Sequence, residues 1–183
     1  VSDVGSAASA QLPAFSIVVA ADQANGIGRA GKLPWRLSAE MAHFKRLTTE
    51  APGGRRNAVI MGRKTFESIL PKFRPLSDRF NMVLSREPSY RPQGAFVVSS
   101  LDQALHELAK LETLGQVFCI GGGELYAAAL QHPRCVRVHL TRVHAKFDCD
   151  TRLADLGADF RRVSEDGPKV EGEVSYTFEV YER

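Results

Sequence analysis

The sequence is poor in several features, and each shortage narrows the field. No apolar run is long enough to cross a bilayer: the longest, "FSIVVAA" and "VFCIGGG", hold seven residues each, against the roughly 20 that a spanning helix needs. Cysteine is scarce. Cys119, Cys135 and Cys149 are odd in number and show no C-x-x-C spacing. That argues against a disulfide framework and fits buried reduced thiols in a cytoplasmic protein. There is no H-E-x-x-H. Of the five histidines, His139 and His144 share a predicted strand with no third ligand nearby, so no metal is expected. Residues 1–14 are small and polar and lack the basic start and apolar centre of a signal peptide. They read as a disordered or artificial tail, and the chain, which does not begin with Met, reads as processed or trimmed.

What is present suits one soluble domain, placed at residues 15–183. The chain has 183 residues, 44% hydrophobic and 25% charged, enough for a sizeable core. Net charge is only +3, but residues 52–93 carry nine Lys/Arg against three acids. A basic middle of this kind binds an anionic ligand or nucleic acid, or is merely a solvated face.

Strands are predicted at 15–21, 57–62, 80–85, 95–98 and 116–121. Most are continuous apolar runs, the pattern of parallel strands buried on both faces. Helical patterns lie between them, at 38–48, at about 64–70 before Pro71, at about 101–112 with Ser100 and Gln103 as a capping box, and in "ELYAAALQH" before Pro133. Residues 135–145 and 174–183 alternate as strands nearer a sheet edge do. The stretch between them, 146–173, is charged and reads as loop-rich. Strand–helix alternation with a β-rich end is an α/β arrangement.

Three strand ends invite an anion. "MGRKT" places Arg63 and Lys64 where a helix begins, against its dipole, at a cost of roughly 0.3–1 kcal/mol each. "LSRE" puts Ser85 and Arg86 at a turn. "CIGGGELY" lets the backbone of Gly121, Gly122 and Gly123 come close to a ligand. Ligands of α/β sheets sit outside the carboxyl ends of the strands, so the three together favour a ligand with several phosphates. "GIGRAG" (26–31) is a literal G-x-G-x-x-G, but Leu33-Pro34-Trp35 follow it where the fingerprint needs a helix. It reads instead as a flexible loop over the site.

One carboxylate stands out. In "LPWRLSAEMAHFKRL", Leu37, Glu40, Phe44 and Leu47 share a helical stripe of core-facing spacing, widened by Met41. Taken alone, Glu40 turns outward, pairs with an arginine, or serves a ligand.

The motifs "GIGRAGKLPW", "AEMAHFKRLT", "NAVIMGRKTFESI", "RPLSDR", "LSRE", "CIGGGELY", "LTRV", "DCDT" and "YTFEVYER", in this order over residues 15–183, closely resemble the dihydrofolate reductase family. The resemblance implies an eight-stranded, mostly parallel mixed sheet with an antiparallel C-terminal strand, flanked by about four helices. It implies NADPH-dependent reduction of 7,8-dihydrofolate, by hydride transfer to C6 and protonation at N5. It also implies sensitivity to antifolate inhibitors, a cytoplasmic location and a monomer, with no nucleic-acid or membrane partner. "FEVYER" reads as a natural domain end.

Site residues follow one by one from the resemblance. Glu40 matches the acid of the pterin pocket, with Thr141 supporting it and Trp35 placing a water near it. Val18, Val19, Met41, Phe44, Ile69 and Leu76 match walls around the substrate. Ile120 and Tyr126 match the floor, and Arg79 the arginine that grips the substrate's α-carboxylate. Arg63, Ser85 and Arg86 match contacts to the 2′-phosphate. Lys64, Thr65, Ser68 and Leu84 lie on the adenosine and pyrophosphate side. Gly121, Gly122, Gly123, Glu124 and Leu125 wrap the remaining pyrophosphate, with an unusual cis peptide at Gly121–Gly122. Ala20, Ile27 and Gly28 meet the nicotinamide. Glu at position 40 resembles animal members, whereas its spacing from Trp35 resembles bacterial ones. The rival readings are a related pyrimidine or pterin reductase, which leaves Arg79 without a purpose, and a nucleic-acid-binding module using the basic middle.

Overall fold

The structure is a computed structural model that describes residues 11–183. The expectation for the tail therefore lies, for residues 1–10, outside the described residues. In chain order the elements are β1 (Phe15–Ala21), β2 (Gly26–Gly28), α1 (Ser38–Thr49), β3 (Arg56–Gly62), α2 (Arg63–Ser68), β4 (Phe80–Leu84) and β5 (Phe96–Val98). There follow α3 (Leu101–Ala109), β6 (Leu114–Cys119), α4 (Gly123–Gln131), β7 (Cys135–Val143), β8 (Thr151–Arg152), β9 (Arg161–Glu171) and β10 (Val174–Glu182).

Eight strands form one sheet in the order β5-β4-β3-β6-β1-β7-β10-β9. The first six run parallel; β10 is antiparallel to both β7 and β9. This is the expected mostly parallel mixed sheet. Its inner strands are apolar throughout because both faces are covered. On one face Ile17, Val19, Ala58, Ile60 and Cys119 pack with Leu105 and Leu108 of α3 and Ala129 and Leu130 of α4. On the other, Val18, Val59, Met61, Val83 and Phe118 pack with Phe66 of α2 and with Phe44 and Leu47 of α1. Each fully buried Val, Leu, Ile, Met or Phe among them contributes about 1.5–3 kcal/mol.

The topology opens a crevice. From β1 the chain crosses through α1 to β3, leaving a place beside β1, and moves outward to β4 and β5. It then returns to insert β6 in that place, and α4 carries it on to β7. Connections leaving β3 and β6 thus diverge, and ligands of open α/β sheets bind at such a point. The register aligns the strand ends: Gly62 pairs with Leu84, and Leu84 with Val98. The Gly62 N–H donates to the Gly121 carbonyl at 2.8 Å.

Three readings needed correction. Residues 146–173, read as loop-rich, contain β8 and the eleven-residue β9. β9 is an edge strand, exposed along most of its length and held by backbone pairing to β10, so no apolar alternation marks it. Glycines 26 and 28, read as a flexible loop, pair with Arg152 and Thr151 of β8. Met41, read as widening the buried stripe, is 55% exposed. The capping box holds in part: Ser100 Oγ accepts from the Gln103 N–H at 3.0 Å, while the Gln103 side chain turns to Ser99.

Candidate active site

Glu40 lies in the first turn of α1 and, with Thr48, is one of its two buried residues. It is not recruited to cap its own helix. The Glu171 carboxylate, from the end of β9, accepts from the N–H groups of Ser38 and Ala39 at 2.8 and 3.1 Å, which satisfies the helix end and leaves Glu40 free for other donors. Among the described residues no salt bridge reaches Glu40. Burial pushes its carboxyl up to about 7, while hydrogen bonding with the Thr141 side chain pulls the other way. Thr141 sits opposite Ala20 in the β1–β7 ladder.

The helix and sheet face that carry this acid are otherwise largely apolar. Val18, Phe44, Leu47, Ile69, Leu76 and Ile120 belong to one packed cluster. Val19 belongs to the opposite core, as do Leu125 and Tyr126. Tyr126 is fixed by its hydroxyl, which donates to the Val18 carbonyl at 2.8 Å. Burial drives its phenol far above the ordinary value, and the charges of Cys119 and Glu40 add to this. Trp35 is buried beside Phe147, ring centroids 5.3 Å apart, and its Nε1–H has no acceptor among the described residues.

Arg79 is 5% exposed. Its Nε donates to the Ser77 carbonyl at 2.8 Å and its Nη1 to Thr48 Oγ1 at 2.9 Å. Among the described residues no carboxylate pairs with it in a salt bridge. Burial lowers its pKa, and the charge of Asp78 opposes that shift. A buried guanidinium needs an anion or hydrogen-bond acceptors, and the two this one has are a carbonyl and a hydroxyl. Asn81 holds the preceding loop, accepting from the Leu76 N–H and donating to the carbonyls of Leu76 and Arg79, each at 2.9 Å.

The crevice between β3 and β6 carries the glycine run. Gly121 has φ +116°, and the Gly121–Gly122 peptide is cis, as the family motif implies. A Cβ on Gly121 would lie 3.1 Å from the Tyr126 ring, and one on Gly122 would lie 3.4 Å from Thr65 Oγ1. The glycine run and the start of α2 are therefore neighbours. Gly123 opens α4 with no side-chain cap, so backbone N–H groups face outward there. Strand spacing of about 4.8 Å sets Arg63, after Gly62, beside Ser85, after Leu84. Lys64, Arg86 and Glu124 are exposed, and Thr65 and Leu84 half-buried. Ser68 folds its hydroxyl back onto the Thr65 carbonyl at 2.6 Å, and Ser85 Oγ accepts from the Glu87 N–H at 3.1 Å.

One organising residue was missed by sequence reasoning. Asp22, fully buried, accepts from the N–H groups of Ala24, Gly26 and Phe147 at 2.8, 2.7 and 2.8 Å. Burial works to raise its pKa, but those three donors and Arg152 outweigh it and hold the carboxyl below the ordinary value. Arg142 adds a second tie, donating to the Asp22 carbonyl and to Asn25 Oδ1. Ile27 and Gly28 are thereby held next to Gly123, whose Cβ would meet Thr151 at 2.8 Å and Ile27 at 3.8 Å. An Asp four residues before a Gly in "DQANG" is a turn signal that could have found it.

A buried acid without a salt-bridge partner among the described residues, and a glycine run beside basic residues, thus sit on an α/β fold of mixed-sheet type. The family model described as dihydrofolate reductase matches residues 14–183. Dihydrofolate reductase of Heliothis virescens is 39% identical over 179 residues, covering 92% of this chain and 97% of that protein. That of Rattus norvegicus is 40% identical over 181 residues, with the same coverage, 92% and 97%. The bifunctional dihydrofolate reductase-thymidylate synthase of Glycine max is 40% identical over 178 residues, 92% of this chain and 33% of that protein. The chain thus spans about a third of the bifunctional relative's length. This chain belongs to the dihydrofolate reductase family.

Proposed function

We propose that the protein reduces 7,8-dihydrofolate to 5,6,7,8-tetrahydrofolate with NADPH, supplying one-carbon, thymidylate and purine synthesis in the cytoplasm. The observation that carries this reading is Glu40: a carboxylate withdrawn from water with no cationic partner among the described residues. Such an acid protonates or finds hydrogen-bond donors. A pterin offers a ring N–H and a 2-amino group side by side, which suit both carboxylate oxygens.

The remaining residues take roles that follow from their positions. Phe44, Ile69, Leu76 and Ile120 enclose the ring and its benzoyl extension, with Met41 at the rim. Arg79 meets the α-carboxylate at the end of that channel. The cradle fits a dinucleotide, because the start of α4 has no side-chain cap and its free backbone N–H groups suit a pyrophosphate. Arg63, Ser85 and Arg86 stand where a 2′-phosphate distinguishes NADPH. When bound, NADPH supplies the hydride. The chain orients the pterin through Glu40 and Thr141 and excludes water with the loop held by Asp22. Trp35 Nε1 holds a water toward Glu40, and water entering beneath the same loop protonates N5. Antifolates with two amino groups would pair with Glu40 in the same way, and the protein would act as a monomer.

Steady-state oxidation of NADPH dependent on dihydrofolate tests this. Glu40→Gln should lower kcat/KM at neutral pH by at least about a hundredfold. Near-normal turnover by the variant would reject the role. A substrate panel including pyrimidine and unsubstituted pterin substrates separates the related reductases, for which Arg79 has nothing to bind.

A further inference from the structure

Resting on the dinucleotide reading above, we propose that Glu67 and Tyr90 set the discrimination between NADPH and NADH, Glu67 acting against the 2′-phosphate and Tyr90 for it. Arg63 is the residue both act through. Its Nε donates to Glu67 Oε1 at 2.9 Å, one turn along α2, with the side chains 43% and 44% exposed. Its guanidinium carbon lies 4.3 Å from the centroid of the Tyr90 ring. Two kinds of contact therefore hold one cation. The carboxylate occupies an N–H, whereas the aromatic face supports the guanidinium plane and occupies none.

The other nearby acid is engaged elsewhere. Glu87 accepts from the Ser89 hydroxyl and N–H at 2.7 and 3.3 Å, and its own N–H holds Ser85 Oγ. Glu67 is thus the acid in direct competition for Arg63. Its carbonyl accepts from Arg74 at 2.8 Å.

A phosphate monoester carries about −1.5 to −2 charges at pH 7. Glu67 already holds one of the five N–H donors of the guanidinium, and the phosphate meets that carboxylate's charge as it arrives at the others. A 2′-hydroxyl, being uncharged, meets no such repulsion. The exposed Arg63–Glu67 pair itself adds little to folding, so it is removed without unfolding the helix.

The test is calorimetric titration of the full chain with NADPH and, separately, NADH. Glu67→Gln should tighten NADPH about three- to tenfold, more at low salt, and leave NADH within about twofold. Tyr90→Leu should weaken NADPH about two- to fivefold and spare NADH. In an Arg63→Ala background the Glu67→Gln gain should vanish. Unchanged or weaker NADPH binding by Glu67→Gln, or an equal change for NADH, overturns the proposal. A parent protein that binds neither nucleotide overturns the dinucleotide reading itself, and one that binds the two alike overturns the 2′-phosphate role of Arg63; both differ from the first result.

Discussion

Replacing Glu40 by Gln should change stability in a way that depends on pH, and the size follows from the burial of that carboxyl. A glutamate ordinarily titrates at 4.5, and Glu40 in the folded chain at about 7. Each tenfold displacement of that equilibrium is worth about 1.4 kcal/mol, so ionising Glu40 costs the ligand-free fold about 3 kcal/mol. Because the folded value is the higher one, the folded state binds the proton more tightly. The contribution is fully present below about 4.5 and is lost as pH rises through about 7. Gln carries no charge at either extreme. The gap in unfolding free energy between variant and parent should therefore widen in the variant's favour by about 3 kcal/mol from pH 4.5 to pH 8. In a domain of this size that is roughly 10 °C in Tm. Urea unfolding of both proteins at the two pH values, without ligand, measures it. All other titrating groups are common to both and cancel. A gap that is the same at both pH values would mean that Glu40 reaches water in the free protein, and the argument for its role would fall with it. The same variant should lose catalysis, so a stabler protein would be a poorer enzyme, as expected where a site keeps a group the fold would rather exclude.

Two further outcomes are expected. Asp22→Asn places an amide N–H against backbone donors in a fully buried site, which should cost about 3 kcal/mol. Hydrogen exchange at Gly26 and Phe147 should accelerate before the rest of the chain does, and wild-type protection there would show that the tie is not needed. Gly121→Ala combines a φ of +116° with a methyl 3.1 Å from the Tyr126 ring; it should cost about 3 kcal/mol in chemical denaturation, and a loss below about 1 kcal/mol would refute the cradle's tightness.

The legible parts of the chain were those where burial writes a pattern. The inner strands announced themselves as apolar runs because helices cover both faces, and α3 through its apolar stripe and Ser100. Glu40 stood out because it broke such a stripe. What stayed hidden rests on backbone pairing or long-range ties. β9 has almost no buried side chains, and β2 and β8 hold three and two residues. Asp22 and Phe147 lie 125 positions apart, and the Thr48–Arg79 contact spans 31; no local window contains either. Met41 carries the right residue type at the right spacing, yet the stripe ends where the cleft opens.

Strand β1, flanked by β6 and β7, gives Val18 to one core and Val19 to the other, and its Val18 carbonyl anchors Tyr126. A substitution that reshapes the proposed substrate wall there also disturbs both halves of the interior. Inherited change has freer play at exposed apolar positions such as Met41, Leu70 and Phe73, which are 55%, 58% and 58% exposed. Were the proposed pocket to take an inhibitor, resistance should arise first at such outer positions, because the deep wall is also the keel of the molecule.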